Sequence, residues 1–155
     1  MNYPGTDAAR VAAAIAGDDA AVQALVAECL PHVIAWSVRL CGLAADGEDS
    51  AHEAMIVMLR RLPELRNPAA FPYWLFGITR NVARNQRRKA WFRRWLPGVV
   101  PDRPDPAPSP ALRLVTSQRA RRVAELLDRL PEAQRVLLIL CDLEGRTSAE
   151  AARLL

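Results

Sequence analysis

The chain has 155 residues, 51% of them apolar, which is enough to bury the core of one compact domain or two small ones. The net charge of +4 is modest but concentrated in one stretch, which favours a polyanionic partner over general basicity. Three scattered cysteines exclude a disulfide framework. The chain shows no secretory signal and no uninterrupted apolar run of membrane-span length, so a reduced, cytoplasmic protein without membrane insertion is expected.

Thr6 or Asp7 caps a first helix, Ala8 to Ala16, which Gly17 ends. Asp18 or Asp19 caps a longer one. Its apolar residues (Val22, Leu25, Val26, Leu30, Val33, Ile34, Val38, Leu40) fall mostly at steps of three and four, so one face is buried. Pro31 inside it predicts a kink or a new start, and Gly42 a stop. The acidic start Asp46-Gly47-Glu48-Asp49 suits the positive end of a helix dipole. This third helix continues through Ala54, Met55, Met58, Leu59 and Leu62 to Pro63, with Asp49 and Glu53 on one exposed face.

Pro68 then opens a helix that begins aromatic (Phe71, Tyr73, Trp74, Phe76) and ends basic. Its apolar stripe is Phe71, Trp74, Leu75, Ile78 and Val82, which makes Trp74 core rather than a base-stacking platform. Arg80, Arg84, Arg87 and Arg88 fall mainly on the opposite side. No acid occurs between Asn67 and Pro101, so this side suits phosphates; the plainer alternative is a solvated amphipathic face.

Six prolines between Pro97 and Pro110 forbid a helix or a central strand. They make residues 96–118 a linker of roughly 60 Å reach at about 3.1 Å per residue. It separates residues 1–95 from residues 119–155. The second part is again helical: Ala120 to Leu130 carries Val123, Leu126, Leu127 and Leu130, and Pro131 opens a helix with Val136, Leu137, Leu140 and Leu143 as its apolar face. Thr147 to Glu150 reads as a capping box for one more helix. Two helices around Gly145 look like the beginning of a helix-turn-helix. The fold class expected is all-α: two small helical domains, the second an incomplete helix-turn-helix.

Catalytic chemistry has nothing to rest on. There is no nucleophile elbow and no Gly-rich phosphate loop. Cys29, His32 and Cys41 lack the paired spacing of a metal site. A non-enzymatic protein without cofactor is expected.

The order of elements carries more than any one of them. DGEDSAHEAM is followed by FPYWLFGITRNVARNQRRK, then by the linker, then by LLDRLPEAQRVLLILCDLEGRTSAEAARLL. This series resembles a bacterial sigma factor of the extracytoplasmic-function (ECF) group over about residues 8–95 and 119–155. The resemblance implies a subunit that directs core RNA polymerase to promoter DNA under control of an anti-sigma factor. It implies polymerase docking by Asp46, Glu48, Asp49 and Glu53, with His52 standing where the family usually has Gln. It also implies binding and opening of the −10 element by Arg66, Asn67, Arg80, Asn81, Arg84 and Arg87, with Arg88 and Lys89 as phosphate contacts. Arg93 and Arg94 are further phosphate candidates. The family continues with a recognition helix for the −35 element, so the chain is expected to be truncated within its second domain, with Ala151, Leu154 and Leu155 partly exposed. A second reading stays open: a sigma-like interaction module that binds polymerase or an anti-sigma factor without reading DNA.

Overall fold

The computed structural model describes residues 7–42, 46–95, 118–143 and 145–152. Among them every regular element is helical, as expected. Helix α1 (Ala8–Ile15) starts at Asp7, whose carboxylate accepts from the amides of Ala9 and Arg10 at 3.1 and 3.3 Å. Helix α2 (Asp19–Cys41) starts at Asp18, which accepts from the Ala21 amide at 2.7 Å. Pro31 does not begin a new helix: α2 runs through it, with the proline on an exposed face, where a missing amide donor costs less than it would in the core. Helix α3 (Gly47–Arg61) is capped by Asp46, which accepts from Glu48 and Asp49 at 2.8 and 3.1 Å. Gly47 is needed there: a Cβ would lie 2.7 Å from the Val38 Cα of α2, so α3 starts directly against its neighbour.

Two short 3-10 turns, Leu62–Glu64 and Pro68–Ala70, lead into α4 (Phe71–Trp95). Pro68 therefore opens a 3-10 turn, capped by Asn67 through the Ala69 amide at 3.1 Å, and not the α-helix itself. Helices α2, α3 and α4 pack together, with α1 against α2. Their shared core holds Trp36, Phe71, Phe76, Leu25, Met58 and Leu75, all fully buried. Each such side chain stabilises the fold by about 1.5–3 kcal/mol. Trp36 meets Phe76 edge to face, ring centroids 5.3 Å apart. The expected stripe of α4 is buried as read, with Trp74 half-buried beside Phe71.

One expectation needs correction. By length and hydropathy α2 does reach the range of a membrane span. Its place is that of a core helix, with Leu25, Cys29, Val33, Trp36 and Leu40 buried in the bundle. Cys29 and Cys41 also lie in this core, where burial pushes both thiols up, Cys29 to about 12.

The second unit comprises α5 (Gln118–Asp128), α6 (Glu132–Leu138), a π-helical turn (Ile139–Leu143) and α7 (Ser148–Ala152). The capping box forms: the Thr147 amide donates to Glu150 Oε2 at 2.9 Å, and the Glu150 amide to Thr147 Oγ1 at 3.2 Å. Leu127, Val136, Ile139, Leu140 and Ala151 are buried. Ala151 is thus core and not exposed, while Leu154 and Leu155 lie outside the described residues, as does the linker at 96–117. Leu137 is 42% exposed because Val136, Ile139 and Leu140 set the inward stripe and leave it about 100° away. On α5, Val123 and Leu126 are exposed, while Leu127 turns inward.

Candidate nucleic-acid and polymerase interfaces

On α3 the inward residues are Ala51, Ala54, Met55 and Met58. Asp46 and Asp49 are exposed and Glu48 is half-buried. Glu53 departs from expectation: it is half-buried and turned toward α4, where Gln86 Nε2 donates to its Oε2 at 2.5 Å. Asp49 and Glu53 therefore do not form one free acidic face. What α3 does present is His52, Ile56 and Leu59, the last two 50% and 41% exposed. With Asp49 they make a stripe at steps of three, four and three. The sequence reading gave these residues no face; the signal for this surface was two apolar residues lying off the stripe of Ala51, Met55 and Met58.

The basic side of α4 divides in two. Asn81, Arg84, Arg88 and Lys89 are exposed, as are Arg66 and Asn67 ahead of the helix. Asn81, Arg84 and Arg88, at steps of three and four, share one outward stripe. Arg80 and Arg87, one helical stripe over, meet the second unit instead. Arg80 Nε lies 3.5 Å from Glu132 Oε1. Arg87 Nη1 donates to Asp128 Oδ1 at 2.5 Å and to the Cys41 carbonyl at 2.7 Å, so it also closes the C-terminus of α2. Between α4 and α6 lies a cleft of about 340 Å³, its rim set by Arg84, Arg88 and Trp91 and its floor by Arg135 and Val136. Burial pushes the Arg135 guanidinium down, and the nearby Arg87 charge adds to this.

Trp91 and Phe92 continue α4 as an exposed aromatic pair, ring centroids 5.2 Å apart. Sequence reading passed over them, although two adjacent aromatics inside a basic run were the available sign. The arrangement offers a phosphate-binding stripe, stacking surfaces beside it, and a separate, partly apolar face on α3.

Residues 25–93 match the model for Sigma-70 region 2, and residues 120–155 match that for Sigma-70 region 4. ECF RNA polymerase sigma factor ShbA of Streptomyces griseus is 31% identical over 152 residues, covering 92% of this chain and 80% of that protein. The chain belongs to the ECF sigma factors. Members of this family are non-enzymatic initiation factors. ECF sigma factor SigD of Mycobacterium tuberculosis is 30% identical over 150 residues, 92% of this chain and 70% of SigD. A "Probable RNA polymerase sigma factor RfaY" of Xanthomonas campestris is 35% identical over 147 residues, and the chain spans 36% of its length. Among solved structures, "Structure of CnrH in complex with the cytosolic domain of CnrY" superposes with a TM-score of 0.66 at 25% identity, over 96% of this chain and 82% of CnrH.

Proposed function

We propose that residues 1–95 carry both polymerase docking and −10 recognition, that residues 96–117 link, and that the part from Gln118 onward belongs to a second promoter-binding domain. In this reading α3 docks on core RNA polymerase through His52, Ile56 and Leu59, with Asp46, Glu48 and Asp49 supplying charge toward a basic partner. Glu53 supports the face from behind through Gln86. The loop at Arg66 and Asn67 and the stripe Asn81, Arg84, Arg88 and Lys89 meet −10 DNA, the cations holding backbone and the polar groups reading an unstacked base. Arg80 and Arg87 join them when the second unit is displaced.

The observation that carries this reading is the exposed stripe Asn81–Arg84–Arg88 on an acid-free helix of a sigma-family chain. The protein acts in the cytoplasm and is controlled by an anti-sigma partner, a reading supported by the CnrH–CnrY complex to which it is similar. Reconstituted transcription with core polymerase tests it. Changing Arg84 and Arg88 to Ala is expected to abolish promoter opening and leave core binding intact, and changing Ile56 and Leu59 to Ser to weaken core binding while leaving single-stranded DNA binding by the free chain intact. If both pairs leave transcription unaltered, the assignment is wrong.

A further inference from the structure

The cleft between α4 and α6 differs from the rest of the basic surface in being concave. It encloses about 340 Å³, within the range of small-molecule sites, and gathers the guanidiniums of Arg80, Arg84, Arg87, Arg88 and Arg135. Leu40, Ala83 and Val136 give it an apolar wall. Arg84, Arg88 and Trp91 follow one another at steps of four and three along α4, so the exposed indole stands in line with two exposed cations at the rim.

The charges of this cleft do not balance from within. Glu132 is the one acid among the described residues that line it, and it pairs with Arg80 at 3.5 Å. Asp128 is taken by Arg87 at 2.5 Å. Arg135, at the floor, is only 5% exposed, and its buried Nε and Nη1 make no hydrogen bond among the described residues. Its Nη1 stands 4.0 Å from Asp128 Oδ1, beyond hydrogen-bond reach. A buried guanidinium in that state weighs against the fold unless an anion completes it. Burial and the Arg87 charge both disfavour the Arg135 cation, and an anion in the cleft offsets both.

We propose that the cleft is a binding site for a nucleoside diphosphate. Arg84 and Arg88 hold the phosphates from the rim, Arg135 draws them toward the floor, and Trp91 stacks the base. Arg84, Arg88 and Arg135 are the three cations of the cleft not taken up by Glu132 or Asp128, which suits a diphosphate better than a single phosphate. The indole beside them favours a nucleotide over inorganic pyrophosphate. A DNA strand lying along the outward stripe of α4 uses Arg84 and Arg88 but has no need of Arg135, which is buried behind them. The site therefore goes beyond the promoter reading and does not depend on it.

Isothermal titration of the full chain at low salt with guanosine diphosphate, pyrophosphate and guanosine tests the site. Guanosine diphosphate is expected to bind saturably at one per chain, pyrophosphate more weakly, and guanosine not at all. Trp91→Ala is expected to weaken guanosine diphosphate about 5- to 10-fold and to leave pyrophosphate unchanged. Arg135→Gln is expected to weaken both about tenfold. Anisotropy of a fluorescent single-stranded DNA oligonucleotide is expected to be the same for Arg135→Gln and wild type. Absence of saturable guanosine diphosphate binding overturns the proposal, as does equal binding of guanosine diphosphate and pyrophosphate by the wild type. An equal loss of oligonucleotide and nucleotide on Arg135→Gln also overturns it, since the cleft would then be part of the DNA path. If the oligonucleotide binds to no variant while the nucleotide pattern holds, the DNA reading of α4 fails and the site stands. Should Arg135→Gln lose its helical circular dichroism, Trp91→Ala decides alone, because that side chain is exposed and its loss leaves the core intact.

Discussion

Helices α1 to α4 are joined by interlocking aromatic and aliphatic side chains, whereas α5 and α6 add ion pairs where they meet them, beside apolar residues such as Leu40, Ala83 and Val136. Between α2 and α4, Trp36 and Phe76 lock edge to face in a site closed to water. Between α4 and the second unit, the recorded pairs are Arg80 with Glu132 and Arg87 with Asp128. Apolar burial is insensitive to salt and fixes geometry, while ion pairs are screened and break nearly even against desolvation. The first unit is thus expected to hold its geometry as salt rises, and the ion pairs of the second unit with α4 to weaken.

The sharpest way to break this comparison is Trp36→Ala. Removing a fully buried indole is expected to cost ~3–5 kcal/mol, seen as a large fall in the thermal midpoint together with loss of both DNA and polymerase binding. An unchanged midpoint would mean that the platform is held elsewhere. Next in size, Arg84→Ala with Arg88→Ala is expected to weaken single-stranded DNA binding roughly tenfold at 0.1 M salt, and to make the log–log salt slope shallower by about 1.4. An unaltered slope would remove these side chains from the phosphate contacts. Of similar or slightly smaller effect, Ile56→Ser with Leu59→Ser is expected to lower core polymerase affinity about tenfold without changing the melting curve, since both residues are exposed. A lower melting point would place them in the core instead.

The smallest effect concerns the second unit alone. Hydrogen bonds from the Thr147 amide and hydroxyl, with the Arg146 charge beyond them, hold the Glu150 carboxyl below the usual carboxylate range. A depressed folded-state pKa contributes stability above the ordinary carboxylate pKa, and that contribution is lost as pH falls through the lowered value. Glu150→Gln is therefore expected to reduce hydrogen-exchange protection of Ser148–Ala152 slightly at neutral pH and to match wild type in acid. Equal protection at both pH values would show that the capping box does not hold α7.

Much of the fold was legible because caps and stripes are local. Asp7, Asp18, Asp46 and Thr147 each announce a helix start within three residues of the amide they accept. Phe71, Leu75, Ile78 and Val82 mark the buried face of α4 by spacing alone. The site was legible only in part. Glu53 was read as a free acid, yet its partner Gln86 lies 33 residues away, beyond any local pattern. Leu59 was placed on the helix without a face, although Met55 and Met58 already fill the inward side and leave it outward.

By itself, the sequence determined the helices, their starts, the apolar stripes, the acid-free basic run and the family. Tertiary structure decided how the basic run is shared. Helical periodicity gives the angle of each arginine around its own axis, but not which polar face another element will meet. Arg84 and Arg88 look outward, while Arg80 and Arg87 are claimed by acids 52 and 41 residues further along the chain. Identical side chains on one helix are separated only when a distant part of the chain folds back against one stripe of it.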